Sequence, residues 1–343
     1  MIIILVLLFG FIGLIWAANH LITGASGIAI HYRLTPLIIG LTIVAIATSA
    51  PEITISLFSA MEGRNDLAIG NAVGSNIANI GLILGLILLL RPLTTRSSLL
   101  RREYPLLILS MLFAYSLVID GYLGVLDGCL LILGCIVLIG YFIFIAQHSS
   151  RDIFAREYKQ YMVTTRSVKA NVLSLLLGMI VLPFSAHFVV NSAVQLATWF
   201  GVNELKIGLT IIAIGTSLPQ ITTSLVAAFK GLDDIAVGNI LGSNMYNLLL
   251  VMAFPGIINP SAINHAILWR DIPIMFIITG VLLLINYREK KKLLAGMADY
   301  CFSFTVAIFY LSSFMHDWLL FLLRHTRKAF QYKECLLNFL YFE

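Results

Sequence analysis

Residues 40–57 read GLTIVAIATSAPEITISL and lead into DLAIGNAVGSNIANI at 66–80. Residues 208–225 read GLTIIAIGTSLPQITTSL and lead into DIAVGNILGSNMYNL at 234–248, at a constant offset of 168 without a gap. More than half of the paired positions are identical, and the shared residues include Thr, Ser, Pro, Gly and Asn, which a lipid-embedded helix should avoid. A polar, helix-breaking element duplicated in a hydrophobic chain points to two half-sites for something charged. The copies differ at one position that sets the charge, where Glu52 pairs with Gln220.

The surroundings of the repeat are those of a membrane protein. The 343 residues are 59% hydrophobic and 11% charged, with a mean hydropathy of +0.95. A soluble chain of this size needs more charge to cover its surface. Continuous apolar runs near the length of about 20 residues that spans a bilayer recur throughout, which excludes the alternating pattern of a β-barrel. The apolar N-terminus lacks a basic leader and a small-residue cleavage pattern, so it reads as a first transmembrane helix. Cys129, Cys135, Cys301 and Cys335 lie mostly in apolar runs without CxxC spacing and read as packing residues. The net charge of +5 comes from Lys and Arg clustered between apolar segments, an orientation signal that argues against nucleic acid as a partner. The partners are the bilayer and inorganic cations. No nucleotide loop, nucleophile elbow or metal-binding His pair occurs, so neither enzymatic activity nor a resident cofactor is expected.

The apolar runs predict ten spans near 3–28, 34–61, 66–90, 104–119 and 124–146, then 171–198, 204–229, 234–255, 268–286 and 298–321. Arg91, Arg96, Arg101 and Arg102 follow the third span. Arg151, Arg156, Lys159, Arg166 and Lys169 follow the fifth, and Arg288 and Lys290 to Lys292 follow the ninth. All three loops fall on one side, which the positive-inside rule makes cytoplasmic, leaving both termini outside. An odd number of spans separates the copies, so they run antiparallel. The chain then divides into a first five-helix repeat (1–147), a cytoplasmic linker (148–170), a second repeat (171–323) and a basic tail (324–343). The tail, with Arg324, Arg327, Lys328 and Lys333, departs from the charge rule and reads either as an interfacial helix or as a sign of a different span number.

Within the second span, Ala45, Thr48, Ser49 and Glu52 are spaced i, i+3, i+4, i+7 and share one helical stripe. Pro51 has no N–H and clashes with the carbonyl four residues back, so carbonyls near Ala47 and Thr48 should lose helical partners. Backbone left open in a bilayer must line a cavity or bind something. Ala213, Thr216, Ser217 and Gln220, broken by Pro219, repeat the stripe. Gly70, Gly74, Gly238 and Gly242 let helices approach closely, beside Ser75 and Asn79 and beside Ser243 and Asn247. This dense set of oxygens suits a hard cation. Asp66 and Asp234 open their helices and read as N-caps.

These residues resemble the cation/calcium exchanger superfamily, in particular its bacterial sodium/calcium exchanger-like membrane proteins. The resemblance rests on the family stretches G-(T/S)-S-x-P-E and G-N-x-x-G-S-N, matched by TSAPE and GNAVGSN in the α-repeat at 40–82 and by GTSLPQ, with Gln for Glu, and GNILGSN in the α-repeat at 208–250. It implies an all-α membrane protein of about ten helices in two inverted five-helix repeats. It also implies a secondary antiporter that works by alternating access, with spans 1 and 6 sliding against spans 2, 3, 7 and 8. Glu52, Thr48, Ser49, Ala45, Ser75 and Asn79 would be ligands by side chain or carbonyl. So would Gln220, Thr216, Ser217, Ala213, Ser243 and Asn247. The family's calcium site centres on two glutamates, and some members add an aspartate where this chain has Asn247. Here Gln220 is an amide, which leaves one carboxylate. Transported ions are Na⁺ or Ca²⁺, and a single charge matches Na⁺, K⁺, Li⁺ or H⁺ better than Ca²⁺. A monovalent or proton exchanger, a channel, and an ion-binding protein that does not transport are the competing readings. The sequence sets no oligomeric state, and a monomer satisfies it.

His20 and His187 lie in spans 1 and 6 and are expected to be hydrogen-bonded within the bundle. Asp120 and Asp127 flank a short outer turn.

Overall fold

The computed structural model describes residues 2–91, 93, 100–148, 167–200 and 213–288. Helix α1 (Ile2–Tyr32) precedes a bent pair, α2 (Pro36–Thr48) and α3 (Ala50–Met61), and then α4 (Asn65–Leu88). Helices α5 (Leu100–Val118) and α6 (Val125–His148) close the first half. The second half repeats the order with α7 (Val168–Trp199), the short α8 (Ala213–Thr216), α9 (Leu218–Phe229), α10 (Asp233–Ile258) and α11 (Ile272–Arg288). A two-residue ribbon, β1 (Tyr122–Leu123) against β2 (Ser261–Ala262), ties the turn after α5 to the turn after α10.

Among the described residues five helices are long and apolar enough to cross a membrane, and the α2–α3 pair makes a sixth if it is one bent span. Eight of the ten expected spans coincide with described helices or helix pairs, and the described part of the seventh, 213–229, is helical. The tenth (298–321), the basic tail and most of the linker lie outside the described residues, as does the stretch 204–212. The distribution of polarity is that of a bilayer protein. The most hydropathic helices, α1 and α6, bury only 22% of their most apolar stretch, whereas α4 and α10, rich in Gly, Ser and Asn, bury 72% and 83% of theirs. Lipid rewards apolar side chains on the perimeter, so the polar helices go to the centre.

The repeat is visible in the backbone. The α2–α3 pair bends by 45°. The break falls at Ser49 (φ −83°, ψ 3°), and its counterpart Ser217 has nearly the same dihedrals (φ −88°, ψ 0°). Pro51 and Pro219 occupy the first turn of the following helix, where a missing N–H costs least. Both α3 and α9 end in the same left-handed cap, at Gly63 (φ 73°) and Gly231 (φ 74°). Arg64 N donates to Ser59 O and Leu232 N to Ala227 O, the six-to-one bond of a Schellman motif, which needs a residue without Cβ at that φ. Both α4 and α10 then widen into a π-helical segment, beginning at Asn79 and at Asn247. Such segments concentrate at functional positions because the extra residue per turn shifts which side chains face inward.

Glycine permits the close approach of α10 to α2. A Cβ on Gly238 would lie 2.7 Å from Leu37 O, and one on Gly242 would lie 2.5 Å from Leu41 O. Most of the segment corresponding to α2 in the second half, 204–212, lies outside the described residues. Along the outside of this core, α1 and α7 lie side by side, with Gly24 against the Leu175 and Asn171 backbone and Gly178 against Leu21.

Several expectations are corrected. Asp66 and Asp234 are not N-caps. The cap positions are Arg64 and Leu232, neither with a capping side chain, and both aspartates sit in the first helical turn, where they face the positive end of the helix dipole. His20 and His187 do not bond across the bundle. His20 Nδ1 donates to Trp16 O at 2.9 Å, one turn back on its own helix, and exposed His187 accepts from Asn191 Nδ2 at 2.8 Å. Cys135 is buried as a packing residue, but Cys129 is exposed. Asp120 and Asp127 do flank a turn, accepting from Tyr122 N and Gly124 N.

Candidate cation-binding site

Helices α2, α3, α4, α9 and α10 converge on a buried polar cluster. The break after Thr48 turns the start of α3 inward, so Thr48, Ser49 and Glu52 all face the second repeat. Thr48 Oγ1 donates to Asn239 Oδ1 at 2.8 Å, Ser49 Oγ and Ser243 Oγ are 2.8 Å apart, and Gln220 Nε2 donates to Glu52 Oε1 at 2.6 Å. On the facing wall Asn79 Nδ2 donates to Asn244 Oδ1 at 2.8 Å, and Asn247 Nδ2 donates to Asn76 Oδ1 at 3.1 Å. Asn76 Nδ2 donates in turn to the Asn244 carbonyl at 3.1 Å.

These bonds define the symmetry. Glu52 and Gln220 are counterparts at the offset of 168, and so are Asn76 and Asn244; each pair meets at its own counterpart, which places both on a two-fold axis. The Asn79–Asn244 and Asn247–Asn76 bonds are exchanged by that axis. Residue 79 meeting 244 while 76 meets 247 means that α4 and α10 cross antiparallel. The inverted relation of the two copies is thus written into side-chain contacts.

Four buried oxygens in this cluster have no hydrogen-bond partner: Glu52 Oε2, Gln220 Oε1, Asn79 Oδ1 and Asn247 Oδ1. They form two symmetry-related pairs. Their residues are fully buried. Leaving one such acceptor unpaired costs about 1–3 kcal/mol, and more for a charged group, so four of them in one place form a set of acceptors short of positive partners. A desolvated cation supplies what they lack, and hard cations take oxygen ligands of this kind. Among the described residues no group of three or more His, Cys, Asp or Glu side chains could hold a metal ion, and three of these four oxygens belong to uncharged amides.

The remaining expected residues divide into two groups. Ser75 and Ser217 are buried beside the cluster, and Ser217 is the hinge of the second break. Thr216 is half-buried and Ala213 begins the described part of its segment. The Ala45 carbonyl accepts from Ser49 N at 3.0 Å within its own helix. Four residues absent from the expected set belong to the network: Asn76, Asn244, Asn239 and Ser224, which accepts from Asn239 Nδ2 at 2.8 Å. The signal for them was present, since Asn71 and Asn239, Asn76 and Asn244, and Ser56 and Ser224 are all identical across the repeat.

Fold and site together define a helical membrane protein built from two related halves around a shared cluster of oxygens. The family model for the sodium/calcium exchanger protein matches residues 2–149 and 170–323, one segment for each half, and the chain belongs to this family of membrane cation antiporters. It is 42% identical over 285 residues to CaxA of Alkalimonas amylolytica, covering 83% of this chain and 89% of CaxA. It is 37% identical over 289 residues to the inner membrane protein YrbG of Escherichia coli, covering 83% of this chain and 89% of YrbG. Among solved structures it is similar to the sodium-calcium exchanger NCX_Mj, with a TM-score of 0.76 and 26% identity, covering 92% of this chain and 99% of that one.

Proposed function

We propose that this chain is a secondary cation antiporter that alternately exposes one site, shared by the two repeats, to the two sides of the membrane. The observation that carries this reading is the set of four partnerless oxygens in two symmetry-related pairs. The proposed ligands are Glu52, Gln220, Asn79 and Asn247, with Thr48, Ser49, Ser75, Ala45, Thr216, Ser217, Ala213 and Ser243 around them. Basic loops place the linker in the cytoplasm and both termini outside. The transported ions are Na⁺ and Ca²⁺, with calcium the weaker.

One observation favours a second reading, in which the physiological ions are monovalent cations or protons. Gln220 contributes an amide where a second carboxylate would sit, and its Nε2 is spent on Glu52. One carboxylate balances one positive charge, and a divalent ion would keep a net charge in a low-dielectric site.

Isotopic counterflow in proteoliposomes tests the proposal. Saturable uptake of labelled sodium or calcium that depends on cation on the opposite side is expected. Flux that needs no opposing cation and does not saturate would identify a channel, and no flux at all would identify a protein that binds ions without moving them.

A further inference from the structure

The four open oxygens raise a question of chemistry: two of them, Asn79 Oδ1 and Asn247 Oδ1, belong to carboxamides. A carboxamide has an oxygen face and an amino face of nearly equal shape, related by a half-turn of the terminal torsion. Presented to a cation, the oxygen attracts and the amino group repels. A site that uses asparagine must therefore hold the amide one way round. A carboxylate needs no such control.

We infer that Asn76 and Asn244 are positioning residues whose task is to fix the carboxamides of Asn247 and Asn79 with their oxygens toward the cation. This rests on the cation-site reading above. Each ligand amide spends its Nδ2 on the other repeat: Asn79 Nδ2 donates to Asn244 Oδ1 at 2.8 Å, and Asn247 Nδ2 to Asn76 Oδ1 at 3.1 Å. With the amino group so held, the opposite face carries the oxygen, and in both residues that oxygen is buried and unpartnered. The lock is anchored in turn. Asn76 Nδ2 donates to the Asn244 carbonyl at 3.1 Å and lies 3.5 Å from Met275 Sδ, which leaves Asn76 Oδ1 as the face turned to Asn247. Turning either ligand amide over would set its oxygen against the oxygen of its lock and its amino group against the cation, two losses for one rotation. All four residues are at most 1% exposed, so water is not on hand to compensate. Because each lock lies on the repeat opposite its ligand, the orientation of both amides depends on the two repeats being docked.

The test is a double-mutant cycle on equilibrium binding of labelled sodium and calcium to the purified full chain in detergent. Asn244→Leu and Asn76→Leu each remove a lock without touching a ligand residue, and each is expected to weaken binding about tenfold. Asn79→Ala removes the amide that Asn244 orients. If Asn244 acts through Asn79, the Asn79→Ala/Asn244→Leu pair binds no more weakly than Asn79→Ala alone, whereas a merely structural role adds a second loss. Asn244→Asp retains the Oδ1 acceptor, gives up an Nδ2 that has no partner and adds a buried negative charge that itself favours a cation, so on both counts it should bind at least as well as the native chain. Should Asn244→Leu fail to fold, Asn244→Ala carries the same cycle without added bulk. Native-like binding by the Leu or Ala variants, additive losses in the double mutant, or an Asp variant as weak as Leu each overturn the positioning role while leaving the cation site standing. A native chain that binds neither cation sinks both.

Discussion

Gln220 donates Nε2 to Oε1 of Glu52 at 2.6 Å, and the two are each other's counterparts in the repeat. A residue that meets its own counterpart sits on the symmetry axis, where any difference between the copies acts directly on the shared site. Glutamate at both positions would bring two carboxylates into contact, and such a pair cannot stay doubly ionised without a cation or proton between them. Here an uncharged donor takes that place. Gln220→Glu should therefore raise calcium exchange in proteoliposomes about tenfold or more, with a smaller effect on sodium. Strong native calcium exchange that Gln220→Glu abolishes would contradict the charge argument.

Glu52 supplies the carboxylate of the open oxygen set. Glu52→Gln keeps the side chain's size and an oxygen but removes the charge, so cation-dependent counterflow should fall to the level of empty liposomes. The protein should remain folded, because an uncompensated buried charge is replaced by an amide that can still bond Gln220. Gel filtration beside the flux measurement separates the two effects. Counterflow that survives the substitution would move the site elsewhere.

Gly242 lies where α10 crosses α2. Gly242→Ala would put a Cβ 2.5 Å from Leu41 O and 2.7 Å from Ala45 Cβ, so it should lower stability by about 1–3 kcal/mol as α2 and α10 are forced apart. Thermal unfolding in detergent reads the loss, and a native-like midpoint would mean that the crossing yields without cost.

Arg91 and Asp233 join the end of the α4 segment to the start of α10, with Nη2 and Oδ1 3.6 Å apart. The arginine is one-third exposed and the aspartate almost fully buried. Solvent screening at the arginine keeps the contribution within about 1 kcal/mol. Arg91→Gln should shift the unfolding midpoint slightly at low salt and hardly at all at high salt. A large, salt-independent loss would mean that Arg91 also compensates the buried Asp233 charge.

The repeat, the breaks and the polar stripes were legible in the chain because each rests on a local rule. Pro51 and Pro219 remove a donor wherever they stand, and apolar runs demand lipid. The offset of 168 that pairs Glu52 with Gln220 in sequence also pairs them in space. What could not be read locally was which partner each polar group would choose. Asp66 and Asp234 looked like caps from their order along the chain, yet the turn begins one or two residues earlier. His20 and His187 looked like bundle contacts, yet both bond within their own helices.

The sequence by itself determined the kind of molecule, a hydrophobic chain carrying two copies of a polar, broken helix with one carboxylate between them. It did so because hydropathy, proline geometry and charge are properties of residues and need no neighbours. The tertiary structure decided which oxygens are open. Asn76 and Asn244 became visible as locks only when α4 and α10 crossed antiparallel. Hydrogen-bond satisfaction is a property of pairs, and the pairs at this site are made almost entirely between residues that lie more than 160 positions apart.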